Sequence, residues 1–208
     1  MESKDIERVL AQIPTYAEEL GLDLRCAKDR FKWFLASILF AKRISAEIAK
    51  RTYRVFEERG LTTPEAILEA GWESLVEALD EGGYVRYDFS TADRLLDICE
   101  KLLSKYGSID AVHQRAKDAQ DLERRLLEFK GVGPTAVSIF LRELRRIWEK
   151  ARPQVSQYAV CVGRKLGLGE EAIERYESQL VRIHLEYCKR GRCSKCPVRA
   201  FCTEARGR

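Results

Sequence analysis

At 208 residues, 45% hydrophobic and 34% charged, with a formal net charge of +4, the chain can bury a core as one large or two small helical or mixed domains. No run of 18 apolar residues occurs, so no membrane span is expected, and the opening MESKDIERVL is charged and amphipathic, unlike a secretory signal. Seven cysteines, an odd number, fit a reducing compartment, with the cytoplasm (the nucleoid, in a prokaryote) as the expected location.

Taken in chain order, the apolar residues repeat with helical period almost throughout. Ile6, Val9, Leu10 and Ile13 form a first stripe, and Phe31, Phe34, Leu35, Ile38 and Leu39 a stronger one. Ile44, Ile48, Tyr53, Val55 and Phe56 continue the pattern. Thr63-Pro64-Glu65 supplies a cap, a proline for the first turn and an acid, and the helix it opens ends at the glycine of AILEAG. Trp72, Leu75, Val76 and Leu79 make a short helix that stops at Gly82-Gly83. Another helix runs from about Thr91 to Gly107, a short one begins at Ser108, and Asp121 leads into LERRLLEF. Strand-type alternation is absent, so the expected class is all-α. Cys26, Cys99 and Cys161 are isolated in helical patterns and read as buried small hydrophobes. Trp33, Trp72 and Trp148 read as core, and His113 as a surface residue.

Charge is unevenly spread. Residues 139–208 carry 16 lysines and arginines against 8 acids, whereas residues 1–138 carry 21 against 25. A basic terminal third on a near-neutral body suits a polyanion, because each neutralised phosphate releases counterions; the plainer reading is a solubilising surface. Within 122–147 the chain reads as a short helix, the turn Gly131-Val132-Gly133, and a longer helix. Glycines allow the tight corner and the close approach of another backbone, and the amides opening the second helix can face a phosphate. A plain αα-hairpin is the alternative.

The most informative feature is the terminal cluster Cys188, Cys193, Cys196 and Cys202, spaced C-x4-C-x2-C-x5-C. Four thiolates brought together so closely in sequence select zinc, copper(I) or an iron–sulfur cluster. Closed zinc sites commonly separate two knuckles by a dozen or more residues, and plant-type [2Fe–2S] sites place their fourth cysteine further away, so the single compact loop favours [4Fe–4S]. A disulfide pair or four inert thiols remains the bland reading.

The hairpin FKGVGPTA and the loop HLEYC…C..C…..C together resemble the helix-hairpin-helix DNA glycosylase superfamily, in its endonuclease III branch. The resemblance extends to ASILFAKRISAEIAKR near the start, to Gly83-Tyr84 followed by Ser90-Thr91-Ala92, and to VSQYAVCVGRKLG. It implies a fold of two helical domains with approximate bounds, one assembled from both chain ends (residues 1–25 and 139–208) and one from 26–138 that contains the hairpin. It also implies a monomer that binds double-stranded DNA, hydrolyses the N-glycosidic bond of a damaged base in base excision repair, and carries a [4Fe–4S] cluster on the four cysteines. The DNA-binding residues would be Lys42, Lys130, Gly131, Val132, Gly133 and Thr135 around the hairpin, with Lys189, Arg190, Arg192, Lys195 and Arg199 on the cluster loop. His184 would pack against that loop without being a ligand. Lys42 falls where endonuclease III has a glutamine that fills the space of a flipped base; a solvated helix-end lysine is the alternative.

Three departures qualify the resemblance. The first cysteine gap is shorter than in endonuclease III. Thr135 stands where the bifunctional enzymes carry the Schiff-base lysine, which argues against lyase activity. Ser156, in Val155-Ser156-Gln157-Tyr158, stands where the family has its catalytic aspartate. A serine can cap a helix but supplies no charge and no comparable base. Either another acid, with Glu143, Glu149 and Glu170 as candidates, takes over, or the chain is a catalytically inactive DNA-binding or damage-recognition protein. A zinc-stabilised helical adaptor without DNA is a third reading.

Overall fold

The computed structural model of the chain describes residues 2–205, and the described residues are helical with no strand. Twelve helices occur in order: α1 (Glu2–Ala11), α2 (Tyr16–Glu19), α3 (Ala27–Phe40), α4 (Ala46–Glu58), α5 (Pro64–Gly82), α6 (Asp88–Lys105), α7 (Ile109–Arg115), α8 (Ala119–Leu127), α9 (Pro134–Leu144), α10 (Gln157–Lys165), α11 (Glu170–Arg175) and α12 (Glu177–Ile183). A π-turn at His184–Cys188 and two short 3₁₀ turns, Cys193–Lys195 and Arg199–Phe201, follow. None of the described helices is long and apolar enough to cross a membrane.

Local chemistry explains most of the boundaries. Ser45, Thr63, Ser108 and Asp118 cap α4, α5, α7 and α8 by accepting the backbone N–H three residues on. Asp118 therefore opens α8, and Asp121 sits inside its first turn rather than leading into it. Helix α5 is broken at Gly71, whose φ of 73° is left-handed, so the AILEAG segment does end there and Trp72 begins a second run.

The chain divides into two compact units, Leu20–Pro153 and a terminal one made of Met1–Glu19 with Gln154–Arg208. The division lies at 19/20 and 153/154, not at 25/26 and 138/139. A boundary at 138 would cut α9, which packs along α3, and α9 therefore stays whole in the central unit. In that unit α3 also packs on α4 and α7, α5 packs on α4 and α6, and α8 joins α7 to α9. Its core is Trp33, Phe34, Tyr53, Phe56, Leu75, Leu95, Phe129 and Phe140, all fully buried. Burying each of these side chains is worth about 1.5–3 kcal/mol or more before chain entropy is counted.

In the terminal unit Ile6 and Leu10 of α1 share a core with Ala159 and Val162 of α10, Leu180 and Val181 of α12, and Val198 of the tail. Polar ties join its two sequence segments. Arg182 donates to Glu19 at 2.7 Å, to Glu186 at 2.9 Å and to the Pro14 carbonyl at 2.7 Å, and the Tyr16 hydroxyl donates to Glu186 at 3.1 Å. Burial, then the Glu186 carboxylate, pushes the Tyr16 phenol well above its ordinary value, so it stays a neutral donor.

Several single-residue expectations need correction. Cys99 is buried, but Cys26 and Cys161 are exposed. Cys26 lies just before α3, and Cys161 points away from the α10 face that buries Ala159, Val162 and Gly163. Trp33 and Trp148 are core, whereas Trp72 is 40% exposed and satisfies its indole N–H on Asp93 at 2.8 Å. His113 is half-buried and stacks on Trp148 with ring centroids 4.7 Å apart, so it is no surface residue.

Candidate functional site

The four terminal cysteines line one cavity of about 200 Å³, together with Lys165, Tyr187, Arg199 and Glu204. Short turns deliver them. Cys188 ends the π-turn, Gly191 at φ 64° reverses the chain, and Arg192 N–H donates back to the Tyr187 carbonyl at 2.9 Å. Cys196 N–H then donates to the Cys193 carbonyl at 3.2 Å, and Cys202 N–H to the Arg199 carbonyl at 3.1 Å. The tail returns to α10 through Thr203 N–H on the Lys165 carbonyl at 3.0 Å and an ion pair between Lys165 and Glu204 at 2.9 Å.

The thiols feel one another. Burial, then the neighbouring Cys196, Cys193 and Cys202 sulfurs, raises the Cys188 thiol; burial raises Cys196 too, opposed by a hydrogen bond from the Val198 N–H. The cavity is thus lined by four soft donors, one already bearing an N–H···S bond of the kind that stabilises negative charge on a sulfur. Among the described residues no group of three or more His, Cys, Asp or Glu side chains is placed to hold a metal ion. His184 stacks on Tyr158 with centroids 4.3 Å apart, and its imidazole is pushed toward neutrality by burial and by Lys165 and Lys189. Lys189, Arg190, Arg192, Lys195 and Arg199 are exposed, and none makes an ion pair with the described residues.

In the central unit, α8 and α9 are joined through Glu128–Gly133. Phe129 and Val132 are buried and anchor this turn, with Val132 N–H donating to the Phe129 carbonyl at 3.0 Å. The Val132 side chain is therefore a packing residue, and only its backbone faces the turn. Gly131 has φ 90°, and an added Cβ would collide with Cδ and Cγ of Arg94 on α6. Gly133 precedes Pro134 with ordinary φ and open space around it, and no side chain caps α9. Thr135 is exposed in the first turn of α9, so its amide is among those left without an intrahelical partner. Lys130 is exposed and paired with Asp97 at 3.1 Å. Lys42, just past α3, is half-buried, and burial followed by the charge of Arg94 lowers its ammonium from the ordinary lysine value.

Ser156 caps α10, its hydroxyl accepting the Tyr158 N–H at 3.3 Å, while its own N–H donates to Glu177 Oε1 at 2.9 Å. Glu177 is 2% exposed. Of the acids considered as replacements, Glu149 and Glu170 are exposed and Glu143 is half-buried. Two residues of these sites were not legible as such in the sequence, Arg94 and Glu177. The positive-φ glycine at 131 signals a close approach but not by whom, and Glu177 is one acid among several. No protein-family model matches the chain, and no curated protein matches its sequence.

Proposed function

We propose that the chain is a DNA glycosylase-like protein of the helix-hairpin-helix superfamily, endonuclease III group, which binds double-stranded DNA and hydrolyses the N-glycosidic bond of a damaged base. The observation that carries this reading is the co-occurrence, in one all-α chain, of a G-V-G turn between helices and four cysteines around a single cavity. Cys188, Cys193, Cys196 and Cys202 hold a [4Fe–4S] cluster, whose contribution is to pin a basic loop rather than to exchange electrons. Lys189, Arg190, Arg192, Lys195 and Arg199 meet phosphates along that loop, and the uncapped amides of α9 meet one at the hairpin. Anaerobically purified protein should be yellow-brown with about four irons and four sulfides per chain. Stoichiometric zinc without acid-labile sulfide overturns the cluster.

DNA affinity should fall steeply with salt. Gly133→Asp puts a carboxylate at the uncapped helix start without strain or clash, so it should weaken binding to every duplex tenfold or more (about 1.4 kcal/mol) and leave folding intact. Unchanged binding would make the hairpin a structural corner only.

In the chemical step water adds to the sugar C1′ as the C1′–N bond breaks, and the base leaves with its electrons and takes a proton. A carboxylate normally steadies the cationic sugar, and Ser156 cannot. With Thr135 in the lysine position, efficient β-elimination at abasic sites should be missing, and borohydride should trap little adduct. A second reading, a catalytically silent damage-recognition protein, is favoured by the engagement of the Ser156 hydroxyl as a helix cap and of Glu177 on the Ser156 amide. Duplexes carrying uracil, oxidised pyrimidines, alkylated purines and abasic sites separate the two. Base release by the wild type supports the enzyme. Tight binding without release, unrestored by Ser156→Asp, supports the silent protein.

A further inference from the structure

Trp72 and Phe89, in the central unit, are large apolar side chains that the fold leaves in the open. Trp72 starts the second run of α5 after the break at Gly71, and Phe89 lies in the first turn of α6. Their rings meet at 5.4 Å between centroids with 31° between planes, so the two exposed surfaces are continuous. Trp72 is 40% exposed and Phe89 57%. Singly exposed apolar residues are ordinary on a protein surface, whereas a touching aromatic pair makes a patch that packing does not explain. The pair is also held in place. The indole N–H donates to Asp93 Oδ1 at 2.8 Å, and Asp93 lies one turn after Phe89 on the same face of α6.

The charge around the pair is negative. Residues 64–105, which make up α5, α6 and the turn between them, carry ten acids and four bases. Those bases are engaged elsewhere. Arg86 lies over Tyr87 at 5.6 Å, Lys101 and Lys105 bind Glu128 at 2.7 and 2.5 Å, and the stem of Arg94 covers Gly131. Arg59 neutralises Glu77 and Glu81, at 3.5 and 2.6 Å. Glu73, next to Trp72, and Asp93 are exposed and make no ion pair with the described residues. An aromatic face flanked by unneutralised carboxylates suits a guanidinium, which stacks flat on a ring while its N–H fork donates to a carboxylate. Phosphate-bearing ligands carry the wrong sign. We infer that Trp72, Phe89 and Asp93 form a docking site for an arginine side chain on a basic segment of another protein. Asp93 positions the indole through one oxygen and leaves the other for the guanidinium. The site is independent of the DNA-binding reading, since its residues belong to neither the hairpin turn nor the cysteine loop.

The test uses the full chain and a fluorescein-labelled Arg-Gly repeat peptide, with a citrulline-Gly peptide of equal length as the neutral control. Binding is read by polarisation and by acrylamide quenching, which reports Trp72 because Trp33 and Trp148 are buried. The arginine peptide should bind and shield Trp72, and the citrulline peptide should do neither. Phe89→Ala and Asp93→Asn should each weaken the arginine peptide about fivefold, with melting curves confirming that both variants fold. Asp93→Asn keeps an acceptor for the indole N–H, so its effect reads the charge and not the placement of Trp72. A folded Phe89→Ala protein that binds as the wild type does shows general attraction to an acidic face and overturns the site. Should that variant not fold, shielding of Trp72 in the wild type still decides: its absence, or equal shielding by the citrulline peptide or an oligo-dT strand, overturns the site. Sedimentation of the protein alone tests one more occupant. A dimer that forms with concentration and is lost in Phe89→Ala gives the face to a second copy and overturns the arginine partner.

Discussion

The turn at Glu128–Gly133 and the loop at Cys188–Cys202 are both short, glycine-bearing connections, but their surroundings differ. The hairpin turn is roofed by a core. Phe129 meets Phe34 at 6.0 Å and Tyr106 at 6.0 Å between centroids, and Phe34 meets Phe140 of α9 at 5.1 Å. Lys101 donates to the Glu128 carbonyl at 2.7 Å, and Lys105 pairs with its carboxylate at 2.5 Å. In the cysteine loop, by contrast, Val198 is the one buried side chain between Lys189 and Cys202, with Cys196 and Phe201 only partly buried against the same core, and backbone turns supply much of the rest. A segment with so little apolar burial does not offset the entropy of ordering its residues, about 1–2 kcal/mol each, without a cross-link. The comparison thus assigns packing as the cause of order in the hairpin and leaves the loop to be ordered by ligation on the proposed cluster.

The largest expected effect follows from removing one ligand of the proposed cluster. Structural metal ligation, as of zinc in zinc fingers, contributes on the order of 10 kcal/mol to folding. Cys196→Ala should therefore lose nearly all its iron and expose the loop to trypsin after Lys189, Arg190, Arg192 and Lys195, while cleavage near the hairpin stays slow. A loop that remains protected in that variant would mean that packing holds it after all.

The reciprocal change is Phe129→Ala. It empties the space under the hairpin and should cost about 3–5 kcal/mol of stability in urea melts, because the surrounding aromatic rings cannot fully close the void. Iron content and the trypsin pattern of the loop should be unchanged. Loss of iron here would couple the two regions and remove the distinction.

How far the sequence showed all this depends on how local the cause is. Helix starts at Thr63 and Ser108, the break at Gly71 and the cysteine spacing were legible because the deciding residues lie within a turn of one another. Asp121 was read as the start of α8 when Asp118 holds that place, since two acids three apart offer the same cap and only geometry separates them. Trp72 was read as core from its stripe, although the glycine break lets the indole turn outward to Asp93. Contacts between residues far apart in sequence, as between Ser156 and Glu177 or between Arg94 and Gly131, leave no periodic trace. The site was therefore visible as motifs, and its supporting charges were not.

The smallest effect sharpens the packing side of the comparison through pH. Asp121, in the helix that leads into the hairpin, accepts from Arg125 Nε at 2.8 Å, from Lys117 N–H at 2.9 Å and from Arg124. The Arg125 bond first, then the Lys117 amide, holds its carboxyl well below the usual carboxylate range. Because the folded value lies below the unfolded one of about 3.9, the stabilisation is fully present above that pH and is lost as pH falls toward the folded value. Asp121→Asn should therefore be less stable than wild type at neutral pH, by less than Phe129→Ala, and the gap between their urea midpoints should narrow steadily below about pH 4. The amide keeps the size of the side chain but not the charge that both arginines use, so a gap that stays constant into acid would show that shape, not ionisation, is what the variant lost. At neutral pH the loop should keep its iron and its resistance to trypsin in this variant, since α8 belongs to the central unit and the four cysteines to the terminal one.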